Sequence, residues 1–331
     1  MKSLDQKLAR IRSGAYNPED FIIADAKDAD MAFCLGSPGP ARDAAGNLLP
    51  GHADRPAYLQ AMREMARSGL VDILLASVSS NEILAGEGLY ENSPVTPAVR
   101  FNDTTDIWLQ RGARYNQWPS RPFRSARLAK LVRMVDLGLY SITFSNDVEH
   151  DLRTLEAYSA FRAEASALGL RHFLEVFNPA FEVGVPAGEL GCYIADSIVR
   201  CLAGVVAEEQ PLFLKIAYNG RRALEELAGY DPSRLVVGIL GGGKGTTRDC
   251  FELLSRAERA GARVALFGRK INYAESPLDL VALMRRVVQR ELTPMEAVKA
   301  YHGILAEQGI RPVLALADDL EVRDPGLKVE A

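Results

Sequence analysis

Cysteine and histidine are scarce in this chain, four of each among 331 residues, and their placing excludes more than their number does. Cys34, Cys192, Cys201 and Cys250 form no CxxC pair and match no zinc spacing, so neither a redox dithiol nor a structural zinc is expected. They read as reduced, mostly buried thiols of a cytoplasmic protein. His52, His150, His172 and His302 are scattered, with no HxH or HExxH pair, which argues against a histidine-based metal site. No apolar run approaches the ~20 residues that a membrane helix needs. The opening MKSLDQKLARIRSG is polar and helical in period, without the apolar centre of a secretory signal. Surplus charge is missing too. With 39 Lys and Arg against 43 Asp and Glu, the formal net charge is −4, which points away from nucleic acid and anionic membranes as partners.

What the sequence has is a large apolar fraction, 48%, enough for a sizeable core. Eight short apolar runs stand in order: Phe21–Ala24, Val71–Ala76, Pro97–Phe101, Leu139–Ser145, His172–Phe177, Leu212–Tyr218, Leu235–Leu240 and Ala262–Phe267. They are continuous rather than alternating, as strands covered on both faces are. Amphipathic helices are expected between most of them, at Pro56–Ser68, Ser125–Leu137, Leu152–Leu168, Leu190–Ala207 and Arg248–Ala260, with a short one near Ser80–Glu87. Strand and helix alternating eight times predict a closed (β/α)8 TIM barrel in a single α/β domain. The barrel core is placed at about 21–290, after an N-terminal helix. Two closing helices are expected at Pro277–Gln289 and Pro294–Gln308, and 291–331 is the C-terminal helix and tail, the tail beyond 311 being an appendage. The polar-aromatic segment 102–124 reads as a long loop at the C-terminal mouth, able to form part of a lid.

A barrel builds its active site at the C-terminal ends of its strands, so polar residues there are the candidates. Lys215, inside PLFLKIAYNG, is the sharpest. Mid-strand, its side chain enters either the barrel or the helix layer; either burial lowers a lysine pKa and suits a Schiff-base nucleophile. The alternative is a structural lysine paired with Glu175 or Asp25. Glu175, in HFLEVFNP, is a candidate general acid/base, or else an ion-pair partner. Asp25 has the same two readings at the end of the first run, followed by Lys27 and Asp28. Ser145, Asn146 and Asp147 close the fourth run. Gly238–Lys244 fits GxxxxGK, but Gly245 stands where a P-loop needs Ser or Thr. Gly242 and Gly243 instead suggest a backbone cradle at the start of a helix near Thr247; with Gly268 and Arg269 after the eighth run this makes an anion site. A plain tight turn is the alternative.

LFLKIAY on the sixth run, LGGGKG after the seventh, Phe267-Gly268-Arg269 after the eighth and HFLEVFNP on the fifth together resemble the class I (Schiff-base) aldolase barrels of the DeoC/LacD and archaeal-type fructose-bisphosphate aldolase group. The similarity is nearest to the tagatose-bisphosphate and sulfo-sugar aldolase branch. It implies Lys215 as the Schiff-base lysine and Glu175 as the proton carrier, with Asp25 assisting. Lys27, Asn146, Gly242, Gly243, Gly268 and Arg269 would hold the substrate. Asp25-Ala-Lys27 resembles the D-Q-R after strand one, with lysine in place of arginine. The strand-four lysine of the tagatose branch is absent from LYSITFSND, and the 102–124 loop has no counterpart. The expected activity is an aldolase-type lyase acting on a phosphorylated or sulfonated ketose, without metal or cofactor, in a cytoplasmic homo-oligomer. A phosphosugar isomerase or epimerase using Glu175 as base, and a non-catalytic sugar-phosphate-binding barrel, are the rivals.

Overall fold

The computed structural model describes residues 2–43 and 46–328. Eight parallel strands close into a barrel, numbered here as barrel strands: β1 Ile22–Lys27, β2 Ile73–Ala76, β3 Thr96–Arg100, β4 Leu137–Thr143, β5 Arg171–Phe177, β6 Leu214–Ile216, β7 Gly238–Leu240 and β8 Val264–Phe267. Each overlaps one of the eight apolar runs. Closure is made by β1 lying between β8 and β2, with Ile22 opposite Val264 and Ala24 opposite Ile73. The molecule is a (β/α)8 barrel.

Two apolar layers explain why the runs are continuous. Ile23, Leu74, Val99, Ile142, Val176 and Ile239 face the helices. Their neighbours Ile22, Ala24, Ile73, Ala98, Leu139, Phe173, Phe213 and Leu266 fill the barrel. Period-two alternation thus sends an apolar residue to each side. The N-terminal helix Ser3–Arg12 closes the bottom, since Leu4, Leu8 and Ile11 lie on one face and join the interior cluster. It is fastened by Lys7 to Asp72, Nζ to Oδ1 2.9 Å, and Arg285 reaches the same carboxylate at 2.7 Å.

Most helices fall where the sequence puts them: Arg55–Ser68, Val78–Gly86, Val148–Ala167, Leu190–Leu202, Thr247–Arg259, Pro277–Val288 and Pro294–Glu307. The expected helix at Ser125–Leu137 does not form. Leu128, Leu131 and Val135 are buried at a helical spacing, but i→i+3 hydrogen bonds hold the segment, Leu131 N–H to Leu128 O and Met134 N–H to Leu131 O. A 3₁₀ turn repeats every three residues and satisfies the same spacing over so short a stretch. A helix Arg221–Tyr230 and a hairpin of Pro40–Arg42 with Leu48–His52 were not anticipated. Of the four cysteines only Cys250 is buried, while Cys34 is exposed, so the expectation of mostly buried thiols is corrected. Among the described residues no helix is long and apolar enough to cross a membrane.

The segment after β3 is ordered rather than a bare loop. Asp103–Thr104 pairs with Pro122–Phe123, and the Trp108 ring meets Tyr115 and Phe123 edge-on. Leu109 N–H reaches Ala32 O at 3.0 Å, tying this segment to the turn after β1 at the C-terminal mouth.

Candidate active site

The barrel interior changes character toward its C-terminal end. Below, it is apolar; above, Asp28, Arg100, Ser141, Glu175 and Lys215 are buried together. Strand register places them. Lys215 on β6 is opposite Glu175 on β5, which is opposite Ser141 on β4. Lys215 Nζ lies 2.6 Å from Glu175 Oε1, with side-chain exposures of 7% and 1%. Of the two directions open to the lysine, it takes the interior one.

Arg100, at the end of β3, organises the rest. Its Nε donates to Asp28 Oδ2 at 2.6 Å, one Nη to Glu175 Oε2 at 2.9 Å and the other to Ser141 Oγ at 2.7 Å. Ser141 Oγ donates in turn to Glu175 Oε2 at 2.7 Å. Two cations and two carboxylates therefore balance in a buried cluster, which is the condition for holding charge out of water. Burial would raise the Asp28 carboxyl, but Arg100 and then Lys215 outweigh it and hold it below the usual range. Asn102 locks the layer above, its Oδ1 accepting from Ser141 N–H and its Nδ2 donating to Ser141 O. Thr143 and Ser145 continue the inward face of β4, and their hydroxyls are buried with no hydrogen-bond partner among the described residues.

Other expected residues lie elsewhere. β1 sends Ile22, Ala24, Ala26 and Asp28 inward and Ile23, Asp25 and Lys27 toward the helices. Asp25 sits 3.3 Å from Lys27 Nζ, and neither of its oxygens makes a hydrogen bond among the described residues. Burial raises its carboxyl, against the pull of Lys27. Lys27 donates to Asn272 Oδ1 at 2.9 Å. The structure thus puts Asp28, not Asp25, beside Glu175, and Lys27 stays out of the cluster. Asn146 is exposed and acts locally, with its N–H on the Tyr193 hydroxyl and its Nδ2 on Val183 O.

The glycine turn runs from β7 to the helix Thr247–Arg259. Gly242 has φ +65°, and a side chain at Gly242 or Gly243 would meet open space. The helix N-terminus behind it is already taken: Thr247 N–H donates to Asp319 Oδ1 at 2.7 Å, while Asp249 Oδ1 receives the N–H groups of Arg323 and Asp324. The tail therefore supplies the carboxylate expected from a ligand. Gly268 is where β8 passes β1, since a Cβ there would lie 2.9 Å from Ala26 O. Arg269 stacks 4.7 Å above the Phe33 ring. It has no ion-pair partner among the described residues, and burial lowers its pKa. Phe33 and Tyr273 also line a cavity of about 480 Å³ at the mouth, closed on other sides by His52, Gln110 and Arg111.

Arg100, Ser141 and Asn102 were missed by sequence reasoning, and Asp28 was noted after Asp25 without a role. Arg100 carried the same signal as Lys215, a charge inside an apolar run, and Asp28 continues the inward parity that Ala24 and Ala26 mark only faintly.

No family model matches the chain, and no curated protein matches it. Solved structures do. An archaeal fructose 1,6-bisphosphate aldolase aligns over 87% of this chain and 99% of its own, at TM-score 0.62 and 16% identity. A Schiff-base-forming fructose-1,6-bisphosphate aldolase, solved for its reaction intermediates, covers 86% and 99% at 0.61 and 18%. Fructose-bisphosphate aldolase from Slackia heliotrinireducens covers 91% and 90% at 0.63 and 13%. Over nearly its whole length, this chain shares the barrel fold of these aldolases.

Proposed function

We propose that this barrel is a class I aldolase-type lyase that breaks or forms a C–C bond in an anionic ketose through a Schiff base on Lys215. The observation that carries the reading is the Lys215–Glu175 contact of 2.6 Å at the mouth of the barrel. A buried amine with a carboxylate in proton-transfer range has both parts that carbinolamine chemistry requires.

Glu175 takes a proton from the Lys215 ammonium, and the freed amine attacks the ketose carbonyl carbon. The proton lost by nitrogen passes to oxygen, giving a carbinolamine. Glu175 returns its proton to that hydroxyl, which leaves as water, and the nitrogen lone pair completes the iminium. A carboxylate, Glu175 or Asp28, then removes the proton from the hydroxyl on the β-carbon. That O–H pair becomes the aldehyde carbonyl, and the C–C pair flows to the iminium to leave an enamine. Protonation of the enamine carbon and hydrolysis release the second product and free Lys215. Arg100 holds the Asp28 carboxyl below the usual range and positions Glu175 by hydrogen bond, and it supplies from β3 the second cation that the tagatose branch carries on strand four.

The unpartnered Thr143 and Ser145 hydroxyls suit a polyol chain. Arg269, without a carboxylate partner among the described residues, suits the anionic end of a phosphorylated or sulfonated substrate. The chemistry asked of the cluster is covalent and acid–base, so no metal or cofactor enters it.

Borohydride reduction in the presence of EDTA and a panel of ketose phosphates and sulfo-sugars tests the reading. A mass increment on Lys215, absent from Lys215→Ala, is expected. An equal adduct on the variant, or epimerisation with no adduct on either, removes Lys215 from the role and leaves Glu175 as the base of an isomerase.

A further inference from the structure

A cavity larger than the one at the mouth opens on the opposite side of the barrel. It holds about 740 Å³ and lies among the segments that lead into β5, β6 and β7. In a barrel of this kind the chemistry sits at the C-terminal face, and nothing about closing strands requires a hollow at the other. Its size falls within the range of small-molecule sites.

The walls combine apolar surface with guanidinium groups. Leu170, Val199, Leu202, Val205 and Pro211 supply the first. Three arginines supply the second, and they differ in their partners. Arg171 is bound by Asp5 at 2.7 Å and Asp136 at 2.6 Å. Arg12 has only a backbone acceptor, Leu212 O at 2.9 Å, and no carboxylate within ion-pair range among the described residues. Arg234 has no side-chain partner among them. Burial and then the charge of Arg171 lower the pKa of Arg12, as befits a cation that nothing nearby compensates. Glu208 and Asp231 also line the cavity; Asp231 takes the Ser233 hydroxyl at 2.8 Å, and neither carboxylate pairs with Arg12 or Arg234.

We propose that this cavity is a second ligand site, separate from Lys215, for a small organic anion with an apolar body. The anionic group meets Arg12 and Arg234, in the charge-assisted geometry that guanidinium favours. The body lies against the Leu202–Val205–Pro211 wall, where covering apolar surface adds affinity. The site does not depend on the lyase reading, since its residues lie at the far ends of the strands from Glu175 and Lys215.

Two fluorescent probes of similar body test it on the full chain: 8-anilinonaphthalene-1-sulfonate, which is anionic, and N-phenyl-1-naphthylamine, which is not. Both are expected to titrate to one saturable site. Arg12→Gln combined with Arg234→Gln is expected to weaken the sulfonate roughly tenfold, the scale of lost hydrogen bonds to charge, and to leave the neutral probe within twofold. Ala203→Trp, on the exposed rim of the cavity, is expected to weaken both, and Lys215→Ala neither. Sulfonate affinity unchanged in the double arginine variant overturns the proposal, as does equal weakening of the two probes there. Binding of both probes untouched by Ala203→Trp overturns it as well.

Discussion

Arg100 and Asp28 meet inside the barrel at 2.6 Å, Nε to Oδ2, although 72 residues and the whole of β2 separate them in the chain. The same guanidinium serves Glu175. Removing it as Arg100→Met leaves two buried carboxylates without their shared cation, a defect that costs about 3–5 kcal/mol. Urea unfolding at pH 7 checks this. Lys215→Met should cost less, because Glu175 keeps Arg100 and Ser141. Equal losses in the two variants would show that Arg100 is not the organising charge.

Asp28 and Asp25 separate by face. Asp28→Asn should lower kcat on a cleavable ketose by about 10²-fold or more, the scale of a lost acid–base or orienting group. Asp25→Asn should leave kcat within a few-fold and act on stability through Lys27. Steady-state kinetics of the two variants decide between them, and a reversed order would return the role to Asp25.

Arg269 stands at the rim without a carboxylate partner. Arg269→Ala should raise KM for a phosphorylated or sulfonated ketose roughly 10- to 100-fold, the loss of about 1.5–3 kcal/mol of hydrogen bonding to a charged group. An uncharged analogue should barely respond. A change of equal size on both substrates would mean that Arg269 only supports Phe33.

His172 carries a pH dependence of its own. Burial pulls its pKa down to about 3, and its Nε2 lies 2.8 Å from the Tyr158 hydroxyl. The imidazole is therefore neutral when folded, whereas the unfolded chain takes up a proton near pH 6.5. Its contribution is complete above that pH and is lost as pH falls from about 6.5 toward about 3, at up to about 1.4 kcal/mol per pH unit. Between pH 6.5 and 4.5 the wild-type chain should lose about 2–3 kcal/mol more than His172→Phe does. Unfolding curves at the two pH values measure it.

The barrel was legible in the sequence because strands buried on both faces write unbroken apolar runs, and eight of them in order leave little else to build. The pairing of Lys215 with Glu175 was legible for a related reason: a charge within such a run has few places to go. Asp25 misled because Ala24 and Ala26 mark the inward face too faintly to fix parity, whereas in β4 Leu137 and Leu139 mark it. Ser125–Leu137 misled because three apolar anchors cannot distinguish a helix from successive 3₁₀ turns. The capping of Thr247 by Asp319 lay beyond local reasoning. It joins residues 72 positions apart, and only the docked tail shows which carboxylate arrives.

Closure of β1 between β8 and β2 has a consequence for how the chain is made. The first strand leaves the ribosome with one edge bare, and its partner Val264–Phe267 follows about 240 residues later. At roughly 5–20 residues per second that interval lasts on the order of ten to fifty seconds. Throughout it, Ile22–Lys27 presents an unsatisfied row of backbone donors and acceptors, the arrangement that recruits stray strands. The nascent protein thus stays open to misassociation along that edge until its last strand emerges, and a slower passage through residues 240–264 would lengthen that exposure without altering the finished fold.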